Sequence, residues 1–80
     1  MRAMVLNANI RGHEEKNNKK GEPYILVRYE EDGTGKPCDL VDKDMNRAKY
    51  YLRDKIMNLT LDIDAGKQFT TIRIIDAKEV

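Results

Sequence analysis

Apolar and polar residues alternate from the start of the chain. Over residues 2–11, Met4, Leu6, Ala8 and Ile10 fall on one side of an extended backbone, and Ala3, Val5, Asn7, Asn9 and Arg11 on the other. Strand side chains point to opposite faces in turn, so the pattern predicts a first strand with its Met4–Ile10 side against a core. Residues 12–22, Gly-His-Glu-Glu-Lys-Asn-Asn-Lys-Lys-Gly-Glu, carry no large apolar side chain and have glycines near both ends. They predict a solvated hairpin loop or arm. A second strand follows over 23–30, with Pro23 at the first position, where a ladder donor can be missing. Ile25, Val27 and Tyr29 share one face and Tyr24, Leu26 and Arg28 the other. Both faces hold apolar residues, so one is core and the other a candidate working surface. Residues 31–37 are rich in turn formers, and Cys38–Val41 read as a short third strand.

The period then changes. Met45, Ala48, Leu52 and Ile56 follow helical spacing, which predicts a helix over 42–55. Asp42 or Asp44 can cap its start, and Lys49, Arg53 and Lys55 near its end suit the helix dipole. Tyr50 and Tyr51 are adjacent, so at most one can be fully core. From residue 57 the alternation returns, with Met57, Leu59, Leu61 and Ile63 on one side. Residues 64–68 predict a hairpin turn, residues 69–76 a last strand rich in β-branched side chains, and 77–80 a tail.

The order β-β-β-α-β-β in one domain over residues 1–80 predicts a mainly β fold. The expected form is a five-stranded OB-type Greek-key barrel with one helix between strands 3 and 4. In such barrels the face around strands 2 and 3 and the adjoining loops bind oligonucleotides.

Composition narrows the function classes. Eighty residues allow one modest core. No run approaches the roughly 18 apolar residues of a membrane span, and the first residues lack a signal peptide's apolar block, so a cytoplasmic setting is expected. Cys38 is the only cysteine, which excludes an internal disulfide and a cysteine-rich metal site. The only histidine, His13, lies in the predicted polar loop, and no nucleophile elbow, Walker loop or dinucleotide-binding glycine triplet occurs. Asp62 and Asp64 share a strand face without a third spaced ligand, which reads as a solvated surface rather than a metal site. Neither an enzyme nor a cofactor is expected.

The formal net charge is only +1, but charge is polarised along the chain. Residues 11–28 and 43–55 are locally basic, and residues 30–42 are locally acidic. Proteins that hold single strands combine a cationic groove with flat side chains on which bases stack. The candidates are Tyr24 and Leu26 on one strand face with Arg28 beside them, and Lys16, Lys19 and Lys20 in the loop before. Lys67 in the last turn and Phe69 at the start of the last strand complete the set.

The run Lys19-Lys20-Gly21-Glu22-Pro23-Tyr24-Ile25-Leu26 resembles the Gly-Lys-Pro-Tyr-x-Leu stretch of the gene V helix-destabilising proteins of filamentous phages. Gly66-Lys67-Gln68-Phe69-Thr70 resembles that family's Gly-Gln-Phe-Gly hairpin tip. The family is a small OB-type barrel that forms two-fold dimers and coats single-stranded DNA without strong sequence preference. The resemblance implies Tyr24 and Leu26 in the DNA-binding strand and Phe69 at a stacking tip. It implies phosphate contacts from Arg11, Lys16 and Lys20. It also implies a homodimer or cooperative oligomer encoded by a phage, plasmid or conjugative element in a bacterial cell. Single-stranded DNA is the expected partner, with RNA left open. The chain departs from the family at Glu22, which replaces a basic residue, in its predicted helix, and in the long arm before the hairpin tip, which is absent or shortened. The rival expectation is a protein-interaction module that uses an exposed helix tyrosine and the acidic segment 30–42.

Overall fold

The computed structural model describes residues 1–31 and 34–80. Five strands, β1 (Arg2–Asn17), β2 (Pro23–Glu30), β3 (Pro37–Asp42), β4 (Ile56–Ala65) and β5 (Thr70–Glu79), close into a barrel in the order β1-β2-β3-β5-β4. All pairings are antiparallel except β3 with β5, which meet in parallel through Val41–Arg73 and Asp42–Ile74. This is the expected OB-type order. Among the described residues a single short 3₁₀ helix, Met45–Tyr50, lies between β3 and β4.

β1 is much longer than its apolar pattern predicted. The segment read as a loop from residue 12 continues as strand to Asn17, because it pairs with β2 through Asn17–Pro23. Only residues 18–22 turn, closed by the Asn18 side chain, whose Oδ1 accepts from the backbone N–H groups of Lys20 and Glu22. Two bulges bend this strand so that one half serves β4 and the other β2. At the first, Val5 faces Leu59 and Ala8 faces Met57, so three steps on β1 match two on β4. Asn7 absorbs the extra residue at φ 55, and its backbone N–H donates to the Asn58 side chain at 3.0 Å. At the second, Gly12 takes φ 150, a value open to glycine and strained for other residues.

The first bulge overturns the expected facing of β1. Ala8 and Ile10 are fully buried, but Met4 and Leu6 are each 59% exposed, while Val5 packs against the core. A one-residue slip sends every side chain beyond it to the other face.

The core otherwise follows the alternation. Ile25, Val27 and Tyr29 of β2 and Met57, Leu59 and Leu61 of β4 are buried, with Ile74 from β5. β5 carries its own irregularity between Asp76 and Ile74 and keeps pairing with β4 as far as Glu79, so residues 77–79, expected as a tail, are strand. The β4–β5 turn is tight. Gly66 donates to the Phe69 carbonyl at 2.8 Å, and a Cβ on Gly66 would press to 3.0 Å from that same oxygen.

The helix predicted over 42–55 shrinks to six residues. Asp44 caps it as expected, accepting from the Asn46 backbone N–H at 3.0 Å. The helix cannot continue because Tyr51 turns inward. Its ring is fully buried, and Asp54 adopts φ 69 to return the chain to β1, its N–H bonded to the Ile10 carbonyl at 2.8 Å. Leu52 and Ile56, half of the supposed helical stripe, are therefore exposed. Asp42, read as a possible cap, lies inside the barrel mouth, fully buried. The expected turn at 31–37 falls partly outside the described residues, at Asp32 and Gly33.

Candidate nucleic-acid interface

Register places the outer side chains of β1, β2, β3 and β5 in rows across the sheet. Lys16 lies opposite Tyr24. Glu14 lies opposite Leu26, Leu26 opposite Val41, and Val41 opposite Arg73. One step lower, Gly12 faces Arg28 and Arg28 faces Asp39. The β2, β3 and β5 members of the two upper rows form the floor of an open groove of about 640 Å³. Tyr24, Leu26, Val41 and Ile72 supply its apolar surface, and Lys43 and Arg73 its cations. The β1–β2 turn bounds it through Asn18 and Glu22. Both Tyr24 and Leu26 are half-buried, seated firmly enough to hold a position yet open on one side.

The sequence-predicted residues distribute unevenly around this groove. Tyr24 and Leu26 line it, and Lys16 stands across the strand from Tyr24. Lys19 and Lys20 sit exposed in the bounding turn and make no ion pair among the described residues. Arg28 lies below, held between Glu14 at 3.3 Å and Asp39 at 3.8 Å. Glu14 also pairs with Lys16 at 3.5 Å. Arg11 pairs with Glu30 at 3.4 Å, beside the second bulge, and does not line the groove. Lys67 and Phe69 stand at the β4–β5 tip, where Phe69 is 76% exposed. The next residues of that hairpin, Thr71, Ile72 and Arg73, line the groove.

Val41, Lys43, Ile72 and Arg73 were not singled out from the sequence. Their signal is non-local. Local alternation shows which residues share a strand face, but the parallel seam that brings Lys43 and Arg73 to one groove joins segments 30 residues apart.

Behind the groove, a buried polar cluster fixes the end of β3. Asp42 accepts from Arg47 Nε at 2.6 Å and Nη2 at 2.9 Å, from the Tyr51 hydroxyl at 2.5 Å, and from the Asp44 backbone N–H at 2.9 Å. Burial and the hydrogen bond to Asp42 push the Tyr51 hydroxyl well above its ordinary pKa of 10.0, and the bond to Asp42 raises Arg47 further. Tyr29 is pushed up to about 12, first by burial and then by Cys38. His13 is half-buried within β1 rather than in a loop. Its Nδ1 lies 2.7 Å from the Tyr51 carbonyl and must donate there, because a carbonyl only accepts.

Among the described residues no group of three metal-ligating side chains forms, and no helix is long and apolar enough to cross a membrane. The chain matches no protein-family model, and no curated protein matches it.

Proposed function

We propose that the outer face of β1, β2, β3 and β5 binds single-stranded nucleic acid, DNA above all, without strong sequence preference. The observation that carries this reading is the groove itself, an apolar floor of Tyr24, Leu26, Val41 and Ile72 with Lys43 and Arg73 at its side, Lys16 across the strand from Tyr24, and Lys19 and Lys20 exposed in the turn that bounds it through Asn18 and Glu22. Stacking on Tyr24 tolerates any base, since every base has a π-face. Phosphate contacts from the rim cations supply a salt-dependent share. Carboxylates at Glu14 and Glu22 lie close by, so affinity per barrel is modest, and coating a strand takes several copies side by side as a homodimer or cooperative oligomer. The resemblance of the β2 and β4–β5 stretches to phage helix-destabilising proteins supports the same role for a protein of a phage, plasmid or conjugative element acting in the bacterial cytoplasm.

Titration into a labelled oligo-dT and a duplex of equal length, at low and moderate salt, tests this. Saturable binding that favours the single strand and weakens as salt rises is expected. Equal binding to both, or none at low salt, overturns the reading. A protein-interaction role has an observation of its own. Tyr50 and Leu52 are exposed beside a notch of about 180 Å³ that reaches Met57 and Ala77. Absence of oligonucleotide binding leaves that surface as the working one.

A further inference from the structure

The geometry points to a route for the bound strand, given the nucleic-acid reading above: it leaves the groove sideways across the β3–β5 seam, over Lys43 and Arg73, and does not run down β2 past Arg28. Two observations carry this. The first is that Lys43 and Arg73 line two cavities at once. Beyond the groove they border a second open cavity of about 440 Å³, whose remaining lining is Asp44, Arg47, Ile74 and Ile75. An anion passing from one cavity to the other meets Lys43, just past β3, which makes no ion pair among the described residues, and Arg73 of β5, which holds a single partner, Asp62, at 3.4 Å, while Arg47 is committed to Asp42 and Asp44. The second is that the alternative path is closed by charge. Arg28 lies between the carboxylates of Glu14 and Asp39, at 3.3 and 3.8 Å, and none of Arg28, Glu14 and Asp39 lines either cavity. A phosphate approaching Arg28 meets two negative charges first, and like charges facing each other oppose binding.

Lys43 is also held ready. Its two neighbours are fixed, Asp42 by the buried cluster and Asp44 by its backbone bond to Asp42 and its own cap on the helix. Its ammonium makes no ion pair among the described residues, so nothing must be broken before it meets a phosphate. The backbone that carries it is ordered beforehand, and only the exposed side chain loses freedom on binding.

The test compares three variants on labelled oligo-dT across a salt series, with thermal melts to confirm folding. Lys43→Gln removes the seam cation. The double change Arg28→Gln with Asp39→Asn removes the lower pair while leaving the local charge sum as it was. Lys78→Gln, an exposed lysine on β5 that lines neither cavity, reports the effect of overall charge. The seam route predicts a several-fold loss of affinity for Lys43→Gln and a logarithmic salt slope shallower by about 0.7, one phosphate contact on a single strand. The other two variants should bind like the parent chain. A loss in the double variant equal to or above that of Lys43→Gln overturns the route, as does a Lys43→Gln effect no larger than that of Lys78→Gln. If the parent chain binds no single strand at all, the nucleic-acid reading itself falls and the route with it.

Discussion

β3 holds two aspartates paired with arginines, Asp42 at its last position and Asp39 nearer its start, and the two pairs do different work. Asp42 is fully buried and grips Arg47 with both carboxylate oxygens, at 2.6 and 2.9 Å. Asp39 meets Arg28 at 3.8 Å with more than half of each side chain in solvent. Water screens the outer pair, so it adds little to stability and chiefly sets the charge that a ligand sees. The inner pair has lost its water and depends on complete satisfaction, which Tyr51 and the Asp44 backbone provide. The same two residue types therefore anchor the barrel in one place and tune its surface in another.

The largest expected effect comes from breaking the inner pair. Asp42→Ala leaves Arg47 and the Tyr51 hydroxyl without their shared acceptor and should cost about 3–5 kcal/mol in urea unfolding, enough to unfold much of a small barrel. Smaller losses would show that water enters this site. Alkaline titration probes the same cluster. Tyr51 and Tyr29 both hold their protons more tightly folded than unfolded, so their contribution is fully present below the unfolded value of 10.0 and is lost as pH climbs beyond it. Ionisation of Tyr51 and Tyr29, followed by ultraviolet absorbance, should therefore coincide with unfolding above pH 10. Tyr51→Phe removes a single hydroxyl donor and should cost about 1–3 kcal/mol.

Tyr24→Ala moves the comparison to the surface. It should weaken oligo-dT binding by about 1–3 kcal/mol, on every base composition alike, while the melting temperature changes little. A melt that collapses instead would make Tyr24 a structural residue. The smallest effect belongs to the outer pair. Asp39→Asn should shift stability by less than about 0.5 kcal/mol.

Neither ion pair was legible in the sequence, but much of the frame that holds them was, and the parts that were not have identifiable causes. β2 matches its expected span from Pro23 to Glu30, because a proline start and clean alternation agree with each other. Adjacent Tyr50 and Tyr51 divide as expected, one exposed and one buried. The outward face of Tyr24 and Leu26 was equally readable. The stripe of Met45, Ala48, Leu52 and Ile56 misled because four apolar residues at helical spacing say nothing of what Tyr51 must reach. Burial of Asp42 had a signal that local reading passed over. Cys38, Leu40 and Asp42 share one face of β3, so a strand carried one residue further puts a carboxylate inside, where it needs partners. The bulge at Asn7 left no such mark, since asparagine at positive φ looks like any polar residue in an alternating run.

That bulge and its companion at Gly12 give β1 a parity that switches twice. Inward positions are odd up to Val5, even at Ala8 and Ile10, and odd again at His13, opposite Val27. The strand thus behaves like a reading frame with two compensating shifts. Forcing Asn7 out of its positive φ into regular strand would not simply straighten it. With Asn7 made a regular strand residue, the frame upstream would invert, Met4 and Leu6 would swing inward and Val5 outward, and the barrel would have to close around a different set of side chains. Deleting Asn7 would instead leave Val5 and Ala8 two steps apart, as Leu59 and Met57 are on β4, so this position accepts loss and resists a β-branched replacement, the reverse of what a regular strand position allows.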